Sequence, residues 1–330
     1  MDGGGADAGG ADANARRLLD DAGTTTSEPK PGWAEGDTLL VTKYASFRKS
    51  ADKSAATITA VAPGTGVNDS FHYGGQPAGV IPPGQHVVLL AEQKKNGHYN
   101  VRYDGKSGWI IAQKLHALDS SMHPVKFAMQ PAVQNAFYKN QLHRGRWNKD
   151  GPSYSGNCAP TSLAMALAVF GLEKPKLSVE QSIHRARKSY GDGSDTGSTT
   201  NSQITQGATA LGLKVKALPY LSQTSAKMDV IDAQLDKKHV LQLAGEPGNP
   251  GGGPTVYQKA MTQAYKAGGV SGSYTYSGHH SIFVLGRTSS GDYVIGDPIS
   301  EVGMVTLTRA QLKDFVARWG GSGNALWLPQ

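Results

Sequence analysis

The stretch "SGHHSIFVLGRTSSGDYVIGDP", residues 277–298, constrains the fold more than any other in this 330-residue chain. Two apolar arms, "IFVLG" and "YVIG", flank the turn-forming "TSSG", the pattern of a β-hairpin. With the turn centred on its two serines, Arg287 faces Asp292, and counting outward sets Ile282 opposite Asp297. Side chains alternate along a strand, so His280 shares a face with Ile282. His280 and Asp297 are then diagonal neighbours, about 7–8 Å apart and within reach of each other. His279 points to the opposite face. A one-residue slip in register would exchange the two histidines.

A second feature supplies a possible partner. The only cysteine, Cys158, lies in "SGNCAPTSLAMAL". A lone buried cysteine usually behaves as a small apolar residue. Here, however, Pro160 sits where proline opens helices. Leu163, Ala166, Leu167 and Phe170 follow at helical spacing, and Gly171 closes the element. Cys158 therefore stands at a helix N-terminus, where free N–H groups and the positive end of the dipole favour a thiolate. A thiolate, an imidazole and an orienting carboxylate together have the logic of nucleophilic acyl transfer.

Composition narrows the rest. A single cysteine excludes an internal disulfide framework and a cysteine-based zinc site. No run of about 18 apolar residues exists, so no transmembrane segment is expected. The net charge of +7 is uneven: residues 1–29 carry −4 and the remainder +11. A basic body is drawn to anionic surfaces, but its lysines and arginines are scattered and form no nucleic-acid motif. Residues 1–35, rich in Gly, Ala and Asp, read as a disordered tether. Such tracts resemble the spacers behind the lipid-anchored cysteine of bacterial lipoproteins. An exported, periplasmic or envelope-associated protein is the corresponding expectation, with its signal removed.

From 36 to 118, short strand patterns alternate with turns. In "VRYDGKSGWIIAQKL", Tyr99, Val101 and Tyr103 alternate before the "DGKSG" turn, and Trp109, Ile110 and Ile111 follow. This resembles the terminal signature of bacterial SH3 domains, "V-x-Y-x-G-K-x-G-W-I", with a longer internal loop than the family's. The resemblance implies an all-β SH3-like barrel with a possible cell-wall ligand. Residues 119–137 read as a linker with helical character, and 138–330 as a second, α+β domain. Within it, Ser178–Gln181 and Thr308–Gln311 fit capping boxes. Asn201 is a candidate N-cap, with Gly212 closing that helix.

"CAPTSLAMALAVFG" resembles the "C-G-P-T-S-L-A-M-V-L" helix of the C39-like cysteine peptidases, a papain-like group. Their second signature, "G-H-x-V-V-V-x-G" followed by a turn and "Y-x-V-x-D-P", is matched by "GHHSIFVLG" and "YVIGDP". The resemblance covers nearly all of 138–330 and implies a papain-like cysteine peptidase fold. It puts the nucleophile on Cys158, the base on His280 and the orienting acid on Asp297. The family's oxyanion glutamine falls on Gln141 in "NQLHRGRW", with Trp147 near the expected tryptophan and Cys158's own N–H as second donor. Ala159 replaces a glycine and is expected to narrow the space beside the thiol.

The implied reaction is cleavage of an amide bond in a peptide, protein or peptidoglycan-type substrate, with no cofactor and no metal. An acyltransferase of transglutaminase type and a catalytically silent binding protein are the other readings. The "D-C-S-G" signature of NlpC/P60 wall hydrolases is absent. Residues 245–278 are longer than the corresponding connection in the family. They read as a mobile cover over the cleft, with Gly/Pro hinges at both ends, a helix-like "TVYQKAMTQAYK" between them, and Tyr274 and Tyr276 lining the substrate path.

Overall fold

The computed structural model describes residues 33–59, 79–141, 156–191, 197–218, 221, 227–249, 251–318 and 321–329. Trp147 and residues 1–32 of the expected tether lie outside them. The N-terminal part is a meander of short strands: β1 (Thr38–Val41), β2 (Ala45–Ser46), β3 (Val80–Ile81), β4 (His86–Leu89), β5 (His98–Tyr103), β6 (Lys106–Ile111) and β7 (Leu115–Ala117). Five of them form an antiparallel sheet in the order β6-β5-β4-β1-β7, and β2 pairs with β3.

The β5–β6 hairpin turns on Asp104 and Gly105, both at positive φ (48° and 76°). Two such residues give the twist that a two-residue hairpin needs, which is why Asp-Gly suits it. Tyr99, Val101 and Tyr103 turn inward, as their alternation requires, and join Leu39, Phe47 and Ile110 in one core.

The C-terminal part contains α1 (Pro124–Ala128), α2 (Cys158–Val169), α3 (Val179–Lys188), α4 (Asn201–Ala210), β8 (Lys214–Leu218), α5 (Lys227–Asp236), β9 (Val240–Gly245) and α6 (Val256–Ala267). The hairpin β10 (His280–Arg287) and β11 (Tyr293–Gly296) follows, then β12 (Val305–Leu307), α7 (Arg309–Ala317) and β13 (Ser322–Trp327). The six strands form one sheet in the order β12-β11-β10-β9-β13-β8.

β10 is central, and its first seven residues are buried. Phe283 and Leu285 enter the core that holds α2, while Ile282 and Val284 enter the one that holds α6 and α7. Helices therefore cover both faces of the sheet, and its middle strand loses the apolar–polar alternation of a half-exposed one. Among the described residues, no helix is long and apolar enough to cross a membrane.

Three expectations need correction. Residues 119–137 are not a free linker: Val125, Phe127, Ala128, Val133, Ala136 and Phe137 pack in the core around α2. The N-cap of α4 is Thr200 rather than Asn201, with a full capping box to Gln203. Residues 245–278 are not a loose cover, because their helix α6 buries Tyr257 and Met261 completely. Its start is fixed by a capping box between Thr255 and Gln258, and the Thr255 hydroxyl donates to the Pro247 carbonyl at 2.5 Å. The boxes at Ser178 and Thr308 form as expected.

The two parts are joined by polar contacts. The Lys176 N–H donates to the Tyr103 hydroxyl at 2.8 Å, and that hydroxyl donates to Gln85 Oε1 at 3.0 Å. Nearby, the buried Lys139 and Glu173 are 2.7 Å apart.

Candidate active site

Cys158 is the first residue of α2 and is partly exposed. The N-cap residue, Asn157, makes no side-chain cap hydrogen bond among the described residues. Intrahelical bonding begins with the Thr161 N–H donating to the Asn157 carbonyl at 2.8 Å, and Pro160 has no N–H to offer. The amides of Cys158 and Ala159 therefore precede the hydrogen-bonded ladder, as the first donors of any helix do. Ala159 is 3% exposed and belongs to the main core.

The loop before Cys158 is held by a group that the sequence did not single out. Arg187, on α3, is 2% exposed. Its Nε donates to Asn157 Oδ1 at 2.6 Å, and its guanidinium donates to the carbonyls of Gly156 at 2.5 Å and Gly197 at 3.1 Å. A Cβ on Gly156 would lie 2.4 Å from the Gly197 carbonyl oxygen, so glycine is required where these backbones meet. In sequence, Arg187 is one basic residue of "HRARK" on an amphipathic helix, and nothing there marks it as the buried one.

His280 opens β10, pairing with Gly245 on β9. Phe283 pairs with Gly296, a register that carries outward to Ile282 opposite Asp297. His280 and Asp297 are thus diagonal neighbours, and His280 Nε2 lies 2.7 Å from Asp297 Oδ1 with both side chains fully buried. The other ring nitrogen, Nδ1, makes no hydrogen bond among the described residues, and Cys158 is among the groups that act on the ring. His279 is exposed.

The electrostatics follow from this arrangement. Burial alone would lower the pKa of His280, but the Asp297 charge and hydrogen bond, with help from Cys158, raise it to about 10. Burial would raise Asp297; the His280 charge and hydrogen bond, the Ile299 N–H and the Tyr257 hydroxyl outweigh it and hold the carboxyl below its ordinary value. The pair is an imidazolium and a carboxylate across neutral pH.

Asp297 is surrounded by hydroxyls. Tyr257 and Tyr274 donate to its Oδ2 at 2.7 and 2.8 Å, and the Ile299 N–H donates to Oδ1 at 3.0 Å. The Tyr138 hydroxyl reaches the carbonyls of Asp297 and Ser300 at 2.9 and 2.7 Å. Gln141, three residues on, is 2% exposed, and its N–H donates to the Pro298 carbonyl at 2.7 Å. The segment carrying the candidate oxyanion glutamine is therefore fastened beside the candidate acid.

Tyr274 turns its hydroxyl inward. It is 4% exposed and spends its hydroxyl on Asp297. Tyr276 is partly exposed, with its ring 5.0 Å from that of His280. An open cavity of about 530 Å³ lies between α6 and residues 273–277, lined by Lys259, Thr262, Lys266 and Tyr274 among others. Its lining includes neither Cys158 nor His280, so it is separate from the thiol.

Residues 133–326 match the model of the Peptidase_C39 like family. The chain belongs to this family. A solved structure similar to it is the peptidase domain of Streptococcus ComA, described as a bi-functional ABC transporter involved in a quorum sensing pathway. That domain is 17% identical, with a TM-score of 0.30, over 52% of this chain and 92% of the other. No curated protein matches the chain. The C39-like match begins at residue 133, inside the segment expected as a linker, in keeping with the core position of Val133, Ala136 and Phe137.

Proposed function

We propose that this C39-like protein is a cysteine peptidase in which Cys158 attacks the scissile carbonyl. The observation that carries this reading is the buried 2.7 Å contact of His280 Nε2 with Asp297 Oδ1, on an imidazole that Cys158, at the start of α2, also acts on. The thiolate adds to the carbonyl carbon and the oxygen takes the charge. The amides at the helix start, with Gln141, are the donors for that oxyanion. The imidazolium gives its proton to the leaving amine as the C–N bond breaks. Neutral His280 then takes a proton from water, which attacks the thioester and releases Cys158. Asp297 keeps the ring oriented throughout. The partly exposed Tyr276 contacts substrate next to His280.

We further propose that residues 36–118 are an SH3-like module that binds wall peptide and holds an exported enzyme near its substrate. Co-sedimentation with purified peptidoglycan tests this, and an unbound module would refute it.

The catalytic reading is tested with Cys158→Ala, His280→Ala and His279→Ala on a library of peptides and peptidoglycan fragments. The first two are expected to lose at least about a thousandfold in turnover, and the third to stay within about twofold. Loss with His279→Ala and retention with His280→Ala would assign the base to the wrong histidine. Cleavage by Cys158→Ala would end the covalent mechanism.

A further inference from the structure

Asp297 receives more hydrogen-bond donors than orienting one imidazole requires. An ionised carboxylate accepts at about four lone-pair positions, and here four donors fill them: His280 and the Ile299 N–H on Oδ1, Tyr257 and Tyr274 on Oδ2. A protonated carboxyl would have to turn one of these contacts around. Both tyrosines are inside the protein, at 0% and 4% exposure. Burial and the Asp297 charge keep their phenols protonated far beyond the usual range, so they remain donors at any working pH.

We propose that Tyr257 and Tyr274 are positioning residues that keep Asp297 ionised and hold its Oδ1 on His280 Nε2, making the 247–276 segment part of the catalytic apparatus. The proposal rests on the reading of Asp297 as the acid of the site.

Each tyrosine is itself anchored. The Tyr257 N–H donates to Asp314 Oδ2 on α7 at 3.0 Å, which fixes the first turn of α6. The Tyr274 N–H donates to the Thr262 hydroxyl at 3.0 Å, and Gln258 Nε2 donates to the Tyr276 carbonyl at 3.0 Å, tying residues 274–276 to the same helix. The Tyr265 hydroxyl donates to the Ile299 carbonyl at 3.1 Å, completing a ring of phenols with Tyr138 around the loop after β11. The other titratable groups facing Asp297 are His280 directly, Cys158 through it, and Glu301 near Tyr138. Among the described residues, the largest stabilising contributions to the low pKa of Asp297 come from His280, the Ile299 N–H and the Tyr257 hydroxyl. Removing a hydroxyl therefore acts on the carboxylate itself.

The test is a 13C NMR titration of the full chain labelled at the aspartate carboxyl carbon, with the Asp297 signal assigned by its loss in Asp297→Asn. Parent, Tyr257→Phe, Tyr274→Phe and the double variant are compared. The parent carboxyl is expected to titrate below the ordinary carboxylate range, and each lost hydroxyl to raise its midpoint by about one pH unit. An unchanged midpoint in a folded variant, even one of lower melting temperature, would reduce the tyrosines to packing and overturn the proposal. If Tyr257→Phe does not fold, Tyr274→Phe decides alone, since its ring lies nearer the surface. Alkylation of Cys158 at pH 7 in His280→Ala checks the underlying reading separately. A rate unchanged there would break the thiol–imidazole pair, whatever the tyrosines do.

Discussion

Cys158 stands on the end of a helix, and the loop before it is tied down by one cation, Arg187, spread over Asn157 and two carbonyls. His280 and Asp297 stand on the middle of a sheet and are tied down by neutral phenols from α6 and the segment after it. The difference follows from the charge each side must carry. In the mechanism proposed above, the first backbone amides of the helix would serve a developing oxyanion beside the thiol, and the cation stays behind the loop as a brace. On the other side the anion is permanent, and it already has one cation in protonated His280. A second cation there would compete with the imidazolium for Asp297, whereas hydroxyls stabilise the carboxylate and leave the pair intact.

The largest effect that could break this comparison is on the sheet side. Asp297→Asn keeps the size of the side chain and removes its charge. Turnover is expected to fall by about 10²–10⁴, because the ring loses its anionic partner and the amide favours the wrong tautomer. The same variant should change how stability depends on pH. His280 has its folded pKa raised from 6.5 to about 10. Its contribution is therefore complete below pH 6.5 and is lost as pH rises through about 10. Asp297, held below 3.8, contributes above that value and loses the contribution as pH falls through its folded pKa. Denaturant midpoints measured from pH 6 to 10 should decline in the parent and stay flatter in Asp297→Asn. Parallel curves would mean that the imidazolium–carboxylate pair does not form in solution.

The brace on the cysteine side should show the opposite profile. Arg187→Met leaves the Gly156 and Gly197 carbonyls and Asn157 Oδ1 without their charged donor. Losing such donors inside a protein costs about 2–4 kcal/mol. Melting temperature should fall, while the acid limb of the turnover profile stays where it was, since Arg187 touches neither His280 nor Asp297. A shifted acid limb would mean that the two sides are not separately held.

The two sides also differed in how far the sequence revealed them. The cysteine helix was legible because its signals are local: a proline in the first turn, apolar residues at helical spacing, and Gly171 at the end, where φ is +68°. The hairpin was legible for a less secure reason. Arg287 pairs with Tyr293 rather than with Asp292, so the turn count is off by one. A bulge between Val284 and Gly286 absorbs one residue and restores the expected register at Ile282. A bulge leaves no mark in an apolar run such as "IFVLG". The bonds of Tyr257 and Tyr274 to Asp297 were not legible because a Gly- and Pro-bracketed segment has the composition of a mobile loop. Only its tertiary contacts, with Tyr257 against Phe315 and its hydroxyl on Asp297, turn it into core. Arg187 was invisible for the same reason: which member of a basic helix face is buried depends on the loops that close over it.

The smallest expected effect lies where the two sides meet. Ser162 is fully buried on α2, and its hydroxyl donates to the Cys158 carbonyl at 2.9 Å while lying 3.4 Å from the Ser281 carbonyl on β10. Its hydroxyl thus touches both the thiol's helix and the histidine's strand. The first contact is a one-turn back-bond of the kind serine makes inside helices, and the second is long enough to be weak. Ser162→Ala should therefore cost about 1 kcal/mol of stability, the net value of one ordinary hydrogen bond. Turnover is the sharper reading. If α2 and β10 are held in register by the packing of Leu163, Phe283 and Leu285, losing the hydroxyl changes turnover by less than about threefold. A tenfold loss at nearly unchanged stability would instead make Ser162 the group that sets the thiol against the imidazole, and the two sides would no longer be independent.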